Sequence, residues 1–294
     1  MVLENFVQSG AKYLGVLRHV PLHYLLLAIG TYYVSVFLYT VRWKLILDRI
    51  GKKLPLLDLF KIFIASIFVN NVTPTSRSGG EVLRITWVSK KANLPLGVSV
   101  ASVVYERLLE AIPFLFLMLL AGVYVVPSKL PLLVLLLLAA GAMWFRWDLV
   151  VGLFLRITKT QIDDAGMAEL SKLRKSVLVT GGGVALSTAV WVLDVIRFKL
   201  ITMAFGLSLP WGLLVAVSVV NMLLGLMSFT PGGVGIMEGG LIGAMIHFGI
   251  PQLFAVSITL LERFISYVLS TVVGMGVLLL SGGSEIWRAL KSRW

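Results

Sequence analysis

Leu130 to Phe145 runs without a single charge, and several other apolar stretches follow the same pattern. A helix needs about 20 apolar residues to cross a hydrocarbon core of ~30 Å, so stretches of this kind commit the chain to a bilayer. They fall at about 22–46, 56–72, 93–126, 129–146, 176–206, 211–229, 233–250 and 251–281, as read by hydrophobic pattern. Across 294 residues, 58% are hydrophobic and 14% charged, whereas soluble domains are roughly half apolar and a quarter charged. Soluble two-domain enzymes, disordered chains and fibrous chains are thereby excluded. Cysteine is absent, which removes a disulfide framework, a thiolate nucleophile and a cysteine metal site.

The formal net charge of +12 does not mark a nucleic-acid partner in so apolar a chain. It is read as cytoplasmic loops and contact with anionic headgroups. Basic residues cluster after the first span (Lys44, Arg49, Lys52, Lys53, Lys61, Lys90, Lys91), in the middle loop (Arg146, Arg156, Lys159, Lys172, Arg174, Lys175) and at the end (Arg288, Lys291, Arg293). Placing all three regions in the cytoplasm satisfies the positive-inside rule. The expectation is a multi-pass protein of the cell's cytoplasmic (inner) membrane, with the C-terminus inside and the N-terminus outside. Lys12 and Arg18 oppose the latter. Residues 1–20 read as an interfacial amphipathic helix and 147–175 as a cytoplasmic amphipathic loop, with a surface helix near Leu149 to Ile157. No cleaved signal peptide is expected.

Two membrane-depth stretches are broken by Pro and Gly, at Asn70 to Glu81 and at Ser228 to Glu238. Such breaks are turns. They belong to an internal repeat: Arg42-Trp43-Lys44-Leu45 returns as Arg197-Phe198-Lys199-Leu200, Leu54-Pro55 as Leu209-Pro210, Thr73-Pro74 as Thr230-Pro231, Glu81 as Glu238, and Glu106-Arg107 as Glu262-Arg263. Each unit is a span, a broken hairpin and a long span. Unit 1 covers 21–146 with a re-entrant hairpin at 56–90, and unit 2 covers 176–294 with a hairpin at 211–250. Three crossings separate the units, and an odd number inverts the second. The expected fold is all-α with two inverted repeats, the architecture of many transporters, whose sites lie at the repeat interface. Drawing each hairpin as two short full spans leaves the parity unchanged.

Ionisable groups at membrane depth cost about 2.5–3.5 kcal/mol on insertion scales and are functional candidates: Glu81, Arg84, Glu106, Arg107, Glu110, Asp194, Arg197, Glu238, Glu262 and Arg263. Asp194 and Arg197 lie i,i+3 and can neutralise each other. Glu106-Arg107 and Glu262-Arg263 are neighbours about 100° apart, so each side chain pairs with another element, as a structural tie or as a ligand group. Half-helices starting after Gly79-Gly80 and Gly232-Gly233 would offer free N–H groups to a phosphate or carboxylate, with Asn71, Thr73 and Thr230 beside them. The same residues could instead only satisfy the broken backbone. Arg77 and Arg84 make the first turn cationic and suit a lipid phosphate. Glu81, Glu106, Glu238 and Glu262 are assigned a proton, cation or amino group, and Arg107, Asp194, Arg197 and Arg263 supporting ion pairs. His19, His23 and His247 are scattered, so no metal centre is expected. No nucleotide loop and no nucleophile appear either, so neither a cofactor nor an enzyme activity is expected.

The segments Asn71-x-Thr73-Pro74-x-x-Arg77-x-Gly79-Gly80-Glu81-x-x-Arg84, Glu106-Arg107, Thr230-Pro231-Gly232-Gly233-x-Gly235-x-x-Glu238 and Glu262-Arg263 resemble the flippase-like transmembrane family, that of the transmembrane region of lysylphosphatidylglycerol synthase. The resemblance spans essentially the whole chain. It implies a polytopic membrane protein that moves a lipid, such as an aminoacyl-phospholipid or a polyisoprenyl-linked glycolipid, between leaflets. The chain ends 13 residues after Ser281, so lysyl transfer is not expected of it. The resulting expectation is a flippase for a phosphate-bearing lipid, with membrane lipids as partners. The alternatives are a secondary transporter of a small soluble anion, or a non-catalytic partner of a separate lipid-modifying enzyme or glycosyltransferase.

Overall fold

A computed structural model of the chain describes residues 15–74, 78–125 and 162–281, with isolated positions between 128 and 156. All regular elements among them are helices: α1 (Leu22–Arg49), α2 (Leu56–Val72), α3 (Ser78–Ala92), α4 (Leu96–Val125), α5 (Asp164–Lys175), α6 (Val177–Ala204), α7 (Trp211–Met227), α8 (Ile236–His247) and α9 (Gln252–Leu280). The expected all-α membrane fold is what is seen. Pro21, Pro55, Pro95, Pro210 and Pro251 each directly precede a helix, a position where the missing N–H costs nothing and the fixed φ is already helical.

Helices α1, α4 and α9 are long and apolar enough to cross a membrane, and α5 and α6, bent by 81° where they join, pass the same test only when taken together. Their outer faces carry exposed Leu26, Val34, Phe116, Leu120, Val192, Val272 and Leu279, an apolar surface that suits lipid tails rather than water. The arms of the two hairpins are shorter. Helix α2 has 17 residues and α3 has 15, while α7 has 17 and α8 has 12, which at 1.5 Å per residue is about 18–26 Å each. The chain breaks between α2 and α3 near Thr73-Pro74 and between α7 and α8 at the short 3₁₀ turn Pro231–Gly233. Gly232, Gly233 and Gly235 take φ of 58°, 72° and 85°, the left-handed region that other residues enter at a cost.

The halves interlock reciprocally. Helices α1 and α6 lie together, α2 packs against the second half of α9, and α7 packs against α4. Gly274 of α9 lets the backbone of α2 approach, since an added Cβ would sit 2.8 Å from both the Ile64 oxygen and the Phe68 Cβ. At the contact of α7 with α4, Gly212 abuts the Tyr124 ring. The sequence ties within each half prove to be physical. Lys44 Nζ donates to the Leu54 carbonyl at 3.2 Å and Lys199 Nζ to the Leu209 carbonyl at 2.9 Å, so each repeated lysine secures the turn before its Leu-Pro.

Some sequence expectations fall elsewhere. Residues 1–14 of the expected interfacial helix lie outside the described residues, as do most of the 129–146 stretch and of Leu149 to Ile157. The helix seen in the middle loop is α5, capped by Asp163, whose Oδ1 accepts from the Gly166 N–H at 2.8 Å. It buries Leu170 and Leu173 against α4. Of the glycines at the start of α6, Gly183 abuts Leu109 and Gly182 comes close to Leu45, while Gly181 faces open space.

Candidate functional site: an ionic network around a cavity between the halves

A cavity of about 230 Å³ opens where the halves meet. Helix α1 contributes Tyr32, Ser35 and Tyr39; α2 and its tip contribute Ile67, Asn70, Asn71 and Thr73; α4 contributes Arg107 and Glu110. From the other half come Trp191, Asp194 and Arg197 of α6, Ser218, Asn221 and Met222 of α7, Ser228, Thr230, Gly232 and Gly233 of the tip, and Glu262, Arg263 and Ser266 of α9. Both hairpins, both long helices and both leading spans therefore line one space.

The lining rests on two ionic networks built on corresponding residues. In the first half Arg42 donates to Glu106 Oε1 at 2.9 Å and to Ser187 at 2.6 Å, while Arg84 pairs with Glu106 Oε2. Arg107 donates from Nε to Glu81 at 2.5 Å and from Nη1 to Glu110 at 2.7 Å, and the Tyr39 hydroxyl donates to Glu110 at 3.1 Å. In the second half Arg197 donates to Glu262 at 3.2 Å and to Asp194 at 2.6 Å. Arg263 donates from Nε to Glu238 at 2.6 Å and to the Gly232 carbonyl at 2.7 Å. The adjacent Glu-Arg pairs thus do turn to different partners, as their 100° offset requires. Where the first half has Tyr39 and Glu110, the second has Asp194 and Ser266, so the carboxylate moves from the long helix to the leading span.

Removing several charges from water is costly, and close pairing is what offsets it. Arg84 is 1% exposed, with its guanidinium 4.1 Å from the Trp43 ring centre and 4.4 Å from that of Phe63, which adds cation–π attraction. It does not line the cavity. Here it balances Glu106, which is also buried, rather than offering its fork to a headgroup. Arg77 lies outside the described residues.

The hairpin turns are also more self-satisfied than the sequence implies. The Gly80 N–H donates to Asn70 Oδ1 at 2.7 Å, and a Cβ on Gly80 would strike the Ser66 carbonyl; Gly79 abuts Thr73. The first turn of α8 is closed by its own Glu238, whose Oε2 accepts from the Gly235 N–H at 2.6 Å. Thr230 donates to the Val234 carbonyl at 2.9 Å, and the Gly233 N–H to the Thr230 carbonyl. These side chains complete the broken backbone, the alternative role for the turn residues, and occupy donors expected to face an anion. Asn71 instead reaches across the halves, donating to Ser270 and Thr271 hydroxyls at 3.1 and 2.8 Å. Its targets border the π-helical segment Phe264–Leu269 of α9, whose widened ladder is common at functional positions. Pro113 lies inside the continuous α4 in the corresponding stretch.

Among expected site residues, then, Asn71, Thr73, Arg107, Asp194, Arg197, Thr230, Gly232, Gly233, Glu262 and Arg263 line the cavity. Glu81 and Glu238 stand behind the two arginines they hold, and Glu106 and Arg84 are buried deeper. Arg42, Tyr32, Tyr39 and Asn221 were not expected at the site. Arg42 could have been found, because it is the repeat partner of Arg197.

Comparison with known proteins agrees with this architecture. Residues 9–274 match the family model described as the lysylphosphatidylglycerol synthase TM region. Similar chains include UPF0104 membrane proteins of Methanothermobacter thermautotrophicus (25% identical, covering 89% of this chain and 86% of that one) and of Methanocaldococcus jannaschii (27%, 82% and 79%). Another is from Pyrococcus horikoshii (23%, 88% and 87%). The chain is a multi-pass membrane protein and belongs to the lysylphosphatidylglycerol synthase transmembrane-region family.

Proposed function

We propose that this protein carries a phosphate-bearing lipid from one leaflet of the cell membrane to the other. The headgroup passes through the cavity between the halves while the tails stay in the bilayer, and no bond is made or broken. In this reading the halves are inverted copies and each hairpin re-enters from its own side, the first from the cytoplasm. The observation that carries it is the joint lining: the tips of both hairpins and the arginine of both Glu-Arg pairs face one polar space inside an apolar exterior.

Three cations line the cavity, Arg107, Arg197 and Arg263; Arg197 is held inside its own half by Asp194 and Glu262, and the forks that take the phosphate in this reading are those of Arg107 and Arg263. A guanidinium forms bidentate bonds to phosphate and does not deprotonate, so a headgroup can compete with Glu81 and Glu238 for these forks. Arg84 serves as an internal counter-ion, and Arg77 enters from the sequence alone. Leaflet-resolved transport of labelled phospholipid, aminoacyl-phospholipid and polyisoprenyl-phosphate lipids in proteoliposomes tests the reading. The native protein moves at least one class well above empty liposomes, and Arg107→Gln and Glu238→Gln slow it. Rates equal to empty liposomes for all three classes overturn it.

A further inference from the structure

Glu106 and Glu262 hold matching places in the two halves but are not equally satisfied. Both oxygens of Glu106 are taken, Oε1 by Arg42 and Oε2 by Arg84. Glu262 Oε1 accepts from Arg197, the counterpart of Arg42, at 3.2 Å. Where Arg84 would correspond, the second half has Leu241, fully buried. Glu262 Oε2 therefore has no hydrogen-bond partner among the described residues, in a side chain 1% exposed. The Ser266 hydroxyl, one turn further along α9, stands beside the carboxyl as a neutral donor and brings no counter-charge.

The charges tell the same story. In the first half Arg42, Arg84 and Arg107 face Glu81, Glu106 and Glu110. In the second, only Arg197 and Arg263 face Asp194, Glu238 and Glu262. A proton on Oε2 turns that atom into a donor and makes a second cation beside Glu262 unnecessary. Two other polar atoms of the cavity lining, Ser218 Oγ and Asn221 Oδ1, are likewise buried without hydrogen-bond partners.

The geometry points to Glu262 as the site of one exchangeable proton that couples lipid movement to a proton gradient. The proton comes from water on the side to which the cavity opens, rests on Oε2, and leaves to water on the other side. A metal ion is the poorer occupant, because Arg197 stands on the other oxygen and no cluster of three ligating groups exists among the described residues. The groups that set the site's field are Asp194 and Arg197 of α6, Tyr32 and Tyr39 of α1, Arg107 and Glu110 of α4, Glu238 of α8, and Arg263 on its own helix. Helices α2 and α7 contribute neutral Asn70, Asn71, Ser218 and Asn221.

The coupling rests on the translocation reading above; the proton site does not. Infrared difference spectra of the full chain in lipid nanodiscs, taken across pH, separate the two. The native protein shows a protonated-carboxyl carbonyl band that is lost in Glu262→Gln and kept in Glu238→Gln. Leu241→Arg, which supplies the missing guanidinium, also removes it. A band that survives Glu262→Gln unchanged, or no titrating band in the native protein, overturns the proton site. In proteoliposomes, reversing an imposed pH gradient changes the native transport rate several-fold and leaves Glu262→Gln unaffected. An equal native rate under both gradients, or a sodium gradient that replaces the pH gradient, overturns the coupling. A band without any lipid movement counts against the translocation reading alone.

Discussion

Arg263 donates from Nε to Glu238 at 2.6 Å, and its Nη2 holds the Gly232 carbonyl at 2.7 Å, so one guanidinium fixes both the tip of the second hairpin and the first turn of α8. Glu238 spends its other oxygen on the Gly235 N–H. Replacing it with alanine removes a cap and a pair together, whereas glutamine retains a cap acceptor. Caps are worth about 0.5–2 kcal/mol. Thermal melting in detergent is expected to show a clear loss for Glu238→Ala and a smaller one for Glu238→Gln, and equal losses would refute the double role.

Arg84 and Glu106 form a buried pair, and breaking a buried pair from one side costs up to about 3–5 kcal/mol; here Glu106 keeps Arg42 on Oε1 and loses the only partner of Oε2 among the described residues. Arg84→Leu should therefore be among the most destabilising single changes. Leucine is what the second half holds at this position, as Leu241, so the loss is electrostatic rather than steric. Adding Glu106→Gln should recover part of it, and a double-mutant cycle with no coupling would contradict the pairing.

Gly80 is expected to tolerate no side chain. An alanine Cβ there meets the Ser66 carbonyl, with Asn70 atoms at 2.8 Å, and overpacking of this kind costs typically about 1–3 kcal/mol. Gly181 faces open space within α6, so Gly181→Ala should be neutral or stabilise by up to about 1 kcal/mol through helix propensity. Melting temperatures that moved the same way would show that the hairpin is looser than described.

Asn71 ties the first hairpin to the other half through Ser270 and Thr271. Asn71→Leu keeps the size and removes the donors. The expected result is faster hydrogen exchange in the α9 segment around Tyr267 with little change in α1. Unchanged exchange there would mean the tie is incidental.

Much of this could be read from the sequence because the repeat is also a set of contacts. Matching Lys44 with Lys199 and Glu81 with Glu238 located ties that the structure makes. Arg84 misled because a charged residue near a Pro-Gly turn looks exposed to a ligand, and only packing reveals Trp43 and Phe63 around it. The half-helix ends misled similarly: spacing exposes their N–H groups, while Asn70 and Glu238 close them. Tyr39 and Asn221 gave no signal, since one aromatic or amide among apolar residues resembles ordinary helix packing.

The central claim, that the cavity between the halves is the lipid headgroup's path, is tested most directly by leaflet-resolved transport with the cavity filled. Met222 lines it from α7 and is half-buried. Proteoliposomes carrying the native protein should move labelled lipid faster than empty ones, and Met222→Trp, melting at the native temperature, should fall to the empty rate. Native-like transport through the blocked variant would contradict the account.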